Sequence, residues 1–270
     1  MWGKDFSSFD EPKNVKRELV FSKDASKWQG MVKTNTEKMR SGESCFELYG
    51  SYTTSIESDY IPVDLQKTYR LSCAMRSLDE KNLASGNFGL RMYDKDKRSI
   101  SIMSVVCIQE SETILTVPAK GGTKELSLET NSKWLEKKMA GLVVAFHVKN
   151  NYEDLPNFDT SLPIGKILDE GKQLKVLLGA PLSKDYPAGT KVRLHMPYGA
   201  PLYWIADGWM PVEWKEFSTT LKGEALLGSP ANAFWHGTKY VKVFAWFGNW
   251  NRKPNPDARL LIDDLSFIEE

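Results

Sequence analysis

The sequence predicts an all-β protein in which an N-terminal and a C-terminal segment close one sandwich around an inserted small β subdomain. Period-two alternation recurs in short runs bounded by Gly, Asp, Asn and Pro, whereas stretches with helical periodicity are scarce. The texture that ends near Cys107 returns from about Val212, so strands far apart in sequence are expected to share a sheet. With 270 residues and 41% apolar content there is ample material for a packed core of one or two domains.

The first strand candidates are Arg17 to Ser22, Met31 to Thr36, Ser44 to Tyr49, Thr53 to Val63, Tyr69 to Leu78, Phe88 to Asp94 and Ser99 to Ile108. Asp94-Lys95-Asp96-Lys97 reads as a charged turn after the sixth. Pro118-Ala119-Lys120-Gly121-Gly122 breaks the pattern, and shorter strands follow at Glu125 to Glu129, Leu142 to Val148, Lys172 to Leu178 and Lys191 to His195. Between them Asn150 to Asn157 is a long polar loop, and Ser132 to Met139 is too short to stand alone as a helix and reads as a turn. The first texture resumes in Glu213 to Glu224, Lys239 to Phe247 and Arg259 to Phe267. Residues 1–108 and 210–270 are therefore assigned to the sandwich and 109–209 to the insert.

Composition removes several functions. Lys and Arg number 36 against 35 Asp and Glu, which leaves no global field for nucleic acid or an anionic membrane. No apolar run approaches the roughly 18 to 20 residues of a membrane span. Three cysteines, Cys45, Cys73 and Cys107, fit neither a disulfide framework nor a metal motif and read as small core residues. His147, His195 and His236 show no zinc spacing, and nucleophile-elbow and phosphate-loop motifs are missing. No catalytic residue is nominated. Nine Trp and ten Tyr are a heavy aromatic load, many of them after residue 197.

Several segments in order resemble the jelly-roll carbohydrate-binding modules of families 4, 9 and 22. Ser8-Phe9-Asp10-Glu11-Pro12 resembles their opening strand, Asp24 to Trp28 the following Trp-bearing segment, and Arg40 to Leu48 the Ser-Gly turn with its apolar strand. Tyr60-Ile61-Pro62-Val63 leading to Thr68-Tyr69-Arg70-Leu71-Ser72 resembles the next step, and Leu261 to Phe267 the closing strand. Within the insert, Trp134, Gly165-Lys166-Ile167, Leu177, Pro181-Leu182 and Gly189 to Val192 resemble a small β-barrel unit of bacterial surface and phage-fibre proteins. The module resemblance implies a jelly-roll sandwich, a polysaccharide or oligosaccharide partner, an attached catalytic domain, and a secreted or cell-surface bacterial setting. It also implies a structural Ca²⁺ between the opening and closing strands, with Asp10 and Asp263 at the matching positions and Ser41 and Glu43 as further oxygen donors. Alternation places Asp263 on the face of Leu265 and Phe267, where a carboxylate must be neutralised by a metal, by backbone amides or by a lysine.

Strand parity supplies the ligand face. Val241, Val243, Ala245 and Phe247 form one apolar face, so Tyr240, Lys242, Phe244 and Trp246 form the other, where a lysine among rings points to solvent or ligand. Arg76, Arg91 and Tyr93 face outward by the same logic, and Trp235 and Trp250 flank the stripe. Rings stack on sugar C–H faces while cations bond hydroxyls or acidic groups, so the expected activity is non-catalytic binding of a polysaccharide, with the basic residues favouring an anionic one. The enzyme alternative is a jelly-roll lyase or hydrolase with Tyr93 and Arg91 as its nearest pair. The structural alternative is a surface or fibre module.

Overall fold

The computed structural model describes residues 18–20, 32–49, 53–136, 140–197, 203–248 and 255–270. In chain order the strands up to the insert are β1 (Glu18–Val20), β2 (Val32–Asn35), β3 (Cys45–Tyr49), β4 (Thr53–Glu57), β5 (Ile61–Pro62), β6 (Thr68–Ser77) and β7 (Ser85–Tyr93). A single helical turn, α1 (Ile102–Val105), leads into β8 (Thr113–Ile114), β9 (Glu125–Glu129), helix α2 (Ser132–Glu136), β10 (Val143–Phe146), β11 (Ile164–Asp169), β12 (Gln173–Leu178) and β13 (Lys191–His195). The chain then returns through β14 (Tyr203–Ala206), β15 (Lys215–Lys222), β16 (Tyr240–Gly248) and β17 (Arg259–Glu269).

Two antiparallel sheets make the sandwich. The first runs β15-β6-β17-β3-β2, with β1 also on β17, and the second runs β14-β7-β16-β4, with β5 on β16. Outside the insert, from β5 onward the chain steps between the sheets (β5 second, β6 first, β7 and β14 second, β15 first, β16 second, β17 first), as the Greek keys of a jelly roll do. Between them Leu71, Cys73 and Met75 of β6 and Phe46 and Leu48 of β3 meet Phe88, Leu90 and Met92 of β7 and Val241, Val243, Ala245 and Phe247 of β16. At about 25 cal/mol per Å², burying such chains supplies the main stabilisation. All three cysteines are buried thiols that form no disulfide.

The insert is a separate unit. Two three-stranded sheets, β10-β13-β8 and β11-β12-β9, enclose a core that includes Trp134, Val144, Phe146, Leu174, Val176, Val192 and Leu194. Its neck is antiparallel: Ile108 N–H donates to the Leu194 carbonyl (2.8 Å) and Met196 N–H to that of Val106 (2.9 Å). The return boundary therefore falls before residue 209, since β14 pairs with β7 and belongs to the sandwich.

Three local expectations change. Ser99 to Ile108 is not a strand: the Ser104 hydroxyl accepts from the Ser101 N–H (2.9 Å) and donates to the Ser101 carbonyl (2.8 Å), closing a helical turn that alternation could not show. The Ser132 to Met139 turn contains α2, whose Trp134 indole donates to the Ser111 carbonyl at 2.7 Å. The Thr53 to Val63 run breaks into β4 and β5. Among the described residues no helix is long and apolar enough to cross a membrane.

Candidate functional site

The outer face of the second sheet is built by register. Lys242 lies opposite Arg91, Phe244 opposite Gly89 and Glu57, Trp246 opposite Asn87 and Ser55, and Tyr240 opposite Tyr93 and Pro62. Trp204 of β14 lies opposite Gly89 from the other side. Gly89 permits that approach, because a Cβ there would stand 1.8 Å from the Tyr203 carbonyl oxygen. The four-strand row Trp204, Gly89, Phe244, Glu57 crosses the middle of the face.

The rings are graded in exposure. Phe244 is only 1% exposed, under Trp204 (centroids 5.1 Å, 70°) and the Arg91 guanidinium (5.7 Å). Trp246 and Trp204 are half-buried, their rings 6.4 Å apart and inclined at 39°. Tyr60 stands more open and contacts Tyr93 (4.9 Å) and Tyr240 (6.2 Å) edge to face. The expected stripe is therefore present as Tyr240, Lys242 and Trp246, with Phe244 as the buried base on which Trp204 stands.

The cations are engaged. Glu57 pairs with both Arg91 and Lys242, the latter at 3.3 Å. Lys242 also lies over the Tyr60 ring at 4.5 Å, and Lys97 over Tyr60 at 4.8 Å and Tyr240 at 5.6 Å. The Asn87 amide donates to Asp207. Arg91, Lys242 and Lys97 thus share the face with Glu57 and Asp207, three cations against two carboxylates, with Glu57 bridging two of the cations. Beneath the rings, Ser85 Oγ, Asn87 Oδ1 and Arg91 Nε are buried without a hydrogen-bond partner among the described residues.

Other expected site residues lie elsewhere. Arg76 is on the outer face of the first sheet, where its guanidinium covers Trp214 (5.7 Å) and bonds the Ser77 and Leu78 carbonyls. Trp235 is 2% exposed and belongs to the sandwich core, so it flanks nothing. Trp250 and Asp10 fall outside the described residues. Burial first, then the Glu57 carboxylate, pushes the Tyr93 phenol up.

Asp263 is buried but not on the face alternation assigned. A bulge between Asp263 and Ser266, with Asp264 in the left-handed region (φ 50°), flips the parity of β17. Ile262 and Leu265 both enter the core, while Asp263 turns outward beneath the Arg40-Ser41 turn. Its Oδ2 accepts from the Arg40 N–H (2.8 Å) and Ser41 N–H (3.1 Å), and its Oδ1 from the Asp264 N–H (2.8 Å). The Ser41 hydroxyl bonds Asp264, and Glu43 is exposed. The described hydrogen bonds to Asp263 come from N–H groups and cap its carboxylate, with Ser41 Oγ and the Asp264 carboxylate beside it; Asp10, the other expected calcium ligand, lies outside the described residues. Among the described residues no group of His, Cys, Asp or Glu is arranged to hold a metal.

Glu57, Asn87 and Tyr60 were missed as site residues. Glu57 was within reach of parity, since Ile56 beside it is fully buried and Glu57 must face the other way.

Strand order and this face define the class as a jelly-roll sandwich with an aromatic sheet face. No family model matches the sequence, and no curated protein matches it. Among solved structures the chain is similar to a "Family 16 Carbohydrate Binding Module-2" (TM-score 0.33, 8% identity, 89% of this chain and 86% of that one). It is also similar to the family 22 xylan-binding domain of Paenibacillus barcinonensis Xyn10C (TM-score 0.34, 7% identity, 90% and 85%). A third is TmCBM61 in complex with β-1,4-galactotriose (TM-score 0.28, 10% identity, 91% and 90%). The class stated above rests on the strand order itself.

Proposed function

We propose that this protein binds a polysaccharide strand on the outer face of its second sheet and performs no chemistry there. The observation that carries the reading is the pair of half-buried indoles, Trp246 and Trp204, set 6.4 Å apart on a sheet face where Glu57 holds Arg91 and Lys242. Indoles in that posture offer flat apolar surface to sugar rings. An uncharged glycan fits better than the anionic one that the basic residues suggested, because Arg76 is on the other sheet and Arg91 is held by Glu57. The setting we infer is outside the cell, beside a catalytic domain that acts on the same polysaccharide.

Calorimetry and affinity electrophoresis on xylan, β-glucan and glucomannan, with pectate and alginate alongside, test this. We expect salt-insensitive binding to at least one neutral polymer, weakened roughly 10- to 100-fold by Trp246→Ala. Absence of binding across the panel, or an affinity that Trp246→Ala leaves intact, would overturn the proposal.

A further inference from the structure

A cleft of about 590 Å³ opens where the 146–159 loop of the insert meets the 94–98 turn of the sandwich. The depression is broad and open to solvent rather than enclosed. Its floor is rigid. Asp154 Oδ2 accepts from the fully buried Arg193 guanidinium (2.8 Å), and its Oδ1 accepts from the Lys149 N–H (2.9 Å). Asn157 donates through its side chain to the Phe146 carbonyl and through its N–H to the Ser104 carbonyl, both at 2.9 Å.

Asp159 forms the first wall and collects three donors: the Tyr186 hydroxyl (2.7 Å), His147 Nδ1 (2.8 Å) and Lys184 Nζ (3.0 Å). His147 sits in the left-handed region (φ 56°) with its side chain 58% exposed. Holding a residue other than glycine there costs free energy, and such strain concentrates where a side chain must be presented. With Nδ1 committed to Asp159, Nε2 is the nitrogen left for the cleft. On the second wall the Arg98 guanidinium lies 4.3 Å over the partly exposed Phe158 ring, anchored by Asp94 at 2.7 Å. Arg98, Lys149 and Lys184 are matched by Glu153, Asp154 and Asp159, so the lining has no net charge.

We propose that this cleft is a second ligand site, carried by the insert, that takes one uncharged, polyhydroxylated ring: a sugar unit. Balanced charge disfavours an ionic ligand, while interleaved donors (Lys184, Lys149) and acceptors (His147 Nε2, Glu153) match hydroxyls, which both donate and accept. Phe158 supplies the apolar edge for a C–H face. None of these residues belongs to the aromatic sheet face, so the site stands whether or not that face binds glycan.

The test is an ¹H–¹⁵N NMR titration of the full chain with xylohexaose, cellohexaose, mannohexaose and β-1,4-galactotriose, each to millimolar concentration. The expected result is saturable shifts of the His147, Phe158 and Lys184 amides with at least one sugar. These should weaken tenfold or more in Phe158→Ala and in His147→Gly, the latter chosen because glycine suits the left-handed backbone. Trp246→Ala should leave them unchanged. Saturable shifts at these amides with none of the sugars, or their loss in Trp246→Ala, overturns the second site. Failure of the sheet-face reading shows instead as cleft shifts without any shift on β16.

Discussion

Acidification should destabilise this protein through His195, a residue of the insert's neck. His195 is completely buried on β13. Arg193 can only donate, so its Nε contact at 3.1 Å makes His195 Nε2 an acceptor, and Nδ1 then donates to the Met103 carbonyl at 2.8 Å. The ring is thereby fixed as the neutral tautomer. Burial first, and then the neighbouring Arg193 charge, hold its pKa down to about 4 from an ordinary 6.5, against the raising pull of the Met103 carbonyl and Asp154. Above pH 6.5 the ring is neutral folded and unfolded, and its contribution is fully present. As the pH falls toward 4 the unfolded chain takes up a proton that the folded chain refuses, so stability is lost. At about 1.4 kcal/mol per pH unit, the displacement from 6.5 to about 4 gives a loss of roughly 3 kcal/mol. Urea unfolding of the wild type and of His195→Gln at steps from pH 7 to pH 4 measures it, since carboxylates elsewhere cancel in the difference. Parallel stability curves for the two proteins, or an NMR midpoint for His195 near 6.5, would refute the reasoning.

Asp263→Ala should cost about 2–4 kcal/mol in urea unfolding, because it strips the acceptor from the Arg40, Ser41 and Asp264 amides. A lower wild-type Tm in EDTA would support calcium at Asp263, and an unchanged one would sink it. Gly89→Ala should cost about 1–3 kcal/mol and speed hydrogen exchange in β14, as its Cβ would collide with the Tyr203 backbone; unaltered protection there would count against the close strand approach. Glu57→Gln should release Arg91 and Lys242 and add salt-sensitive retention on acidic polysaccharide gels. Unchanged mobility would show that Glu57 does not set the charge of the face.

Parity made most of the sandwich legible. In β16 and β6 alternation assigned the core and outer faces correctly, because a half-buried strand repeats every two residues and hides one face. It failed where backbone geometry breaks the repeat. In β17 the left-handed Asp264 inserts one residue, so Asp263 shares no face with Leu265, and only a structure shows where a bulge falls. Arg76 was read correctly as outward-facing, but sequence does not say which sheet a strand joins, and β6 joined the first. Trp235 shows the same limit for loops: its side chain is buried in the sandwich core while its backbone N–H meets Met92 Sδ, and nothing periodic announces that. β14 is four residues long and too short to declare itself, although it carries Trp204.

The insert leaves the sandwich after β7 and returns as the neighbour of β7, and this places both proposed sites along one strand. Its return delivers Trp204 to the edge of the ring-bearing face without laying its own core over that face. At the other end of β7 the turn divides its cations: Lys97 reaches the Tyr60 and Tyr240 rings, while Arg98, the next residue, lies on Phe158 in the cleft. The turn is stiff, because Asp94 Oδ1 accepts from the N–H groups of Asp96 (2.9 Å) and Arg98 (2.8 Å). Lys97 itself holds a left-handed backbone (φ 59°). A polysaccharide long enough to reach both sites would bind the second intramolecularly and so, unlike an oligosaccharide too short to span them, would feel the loss of Trp246 at the cleft. On the two proposals above, the insert would add a second anchor beside one shallow aromatic face, and losing it would lower affinity for polymer more than for a single sugar unit.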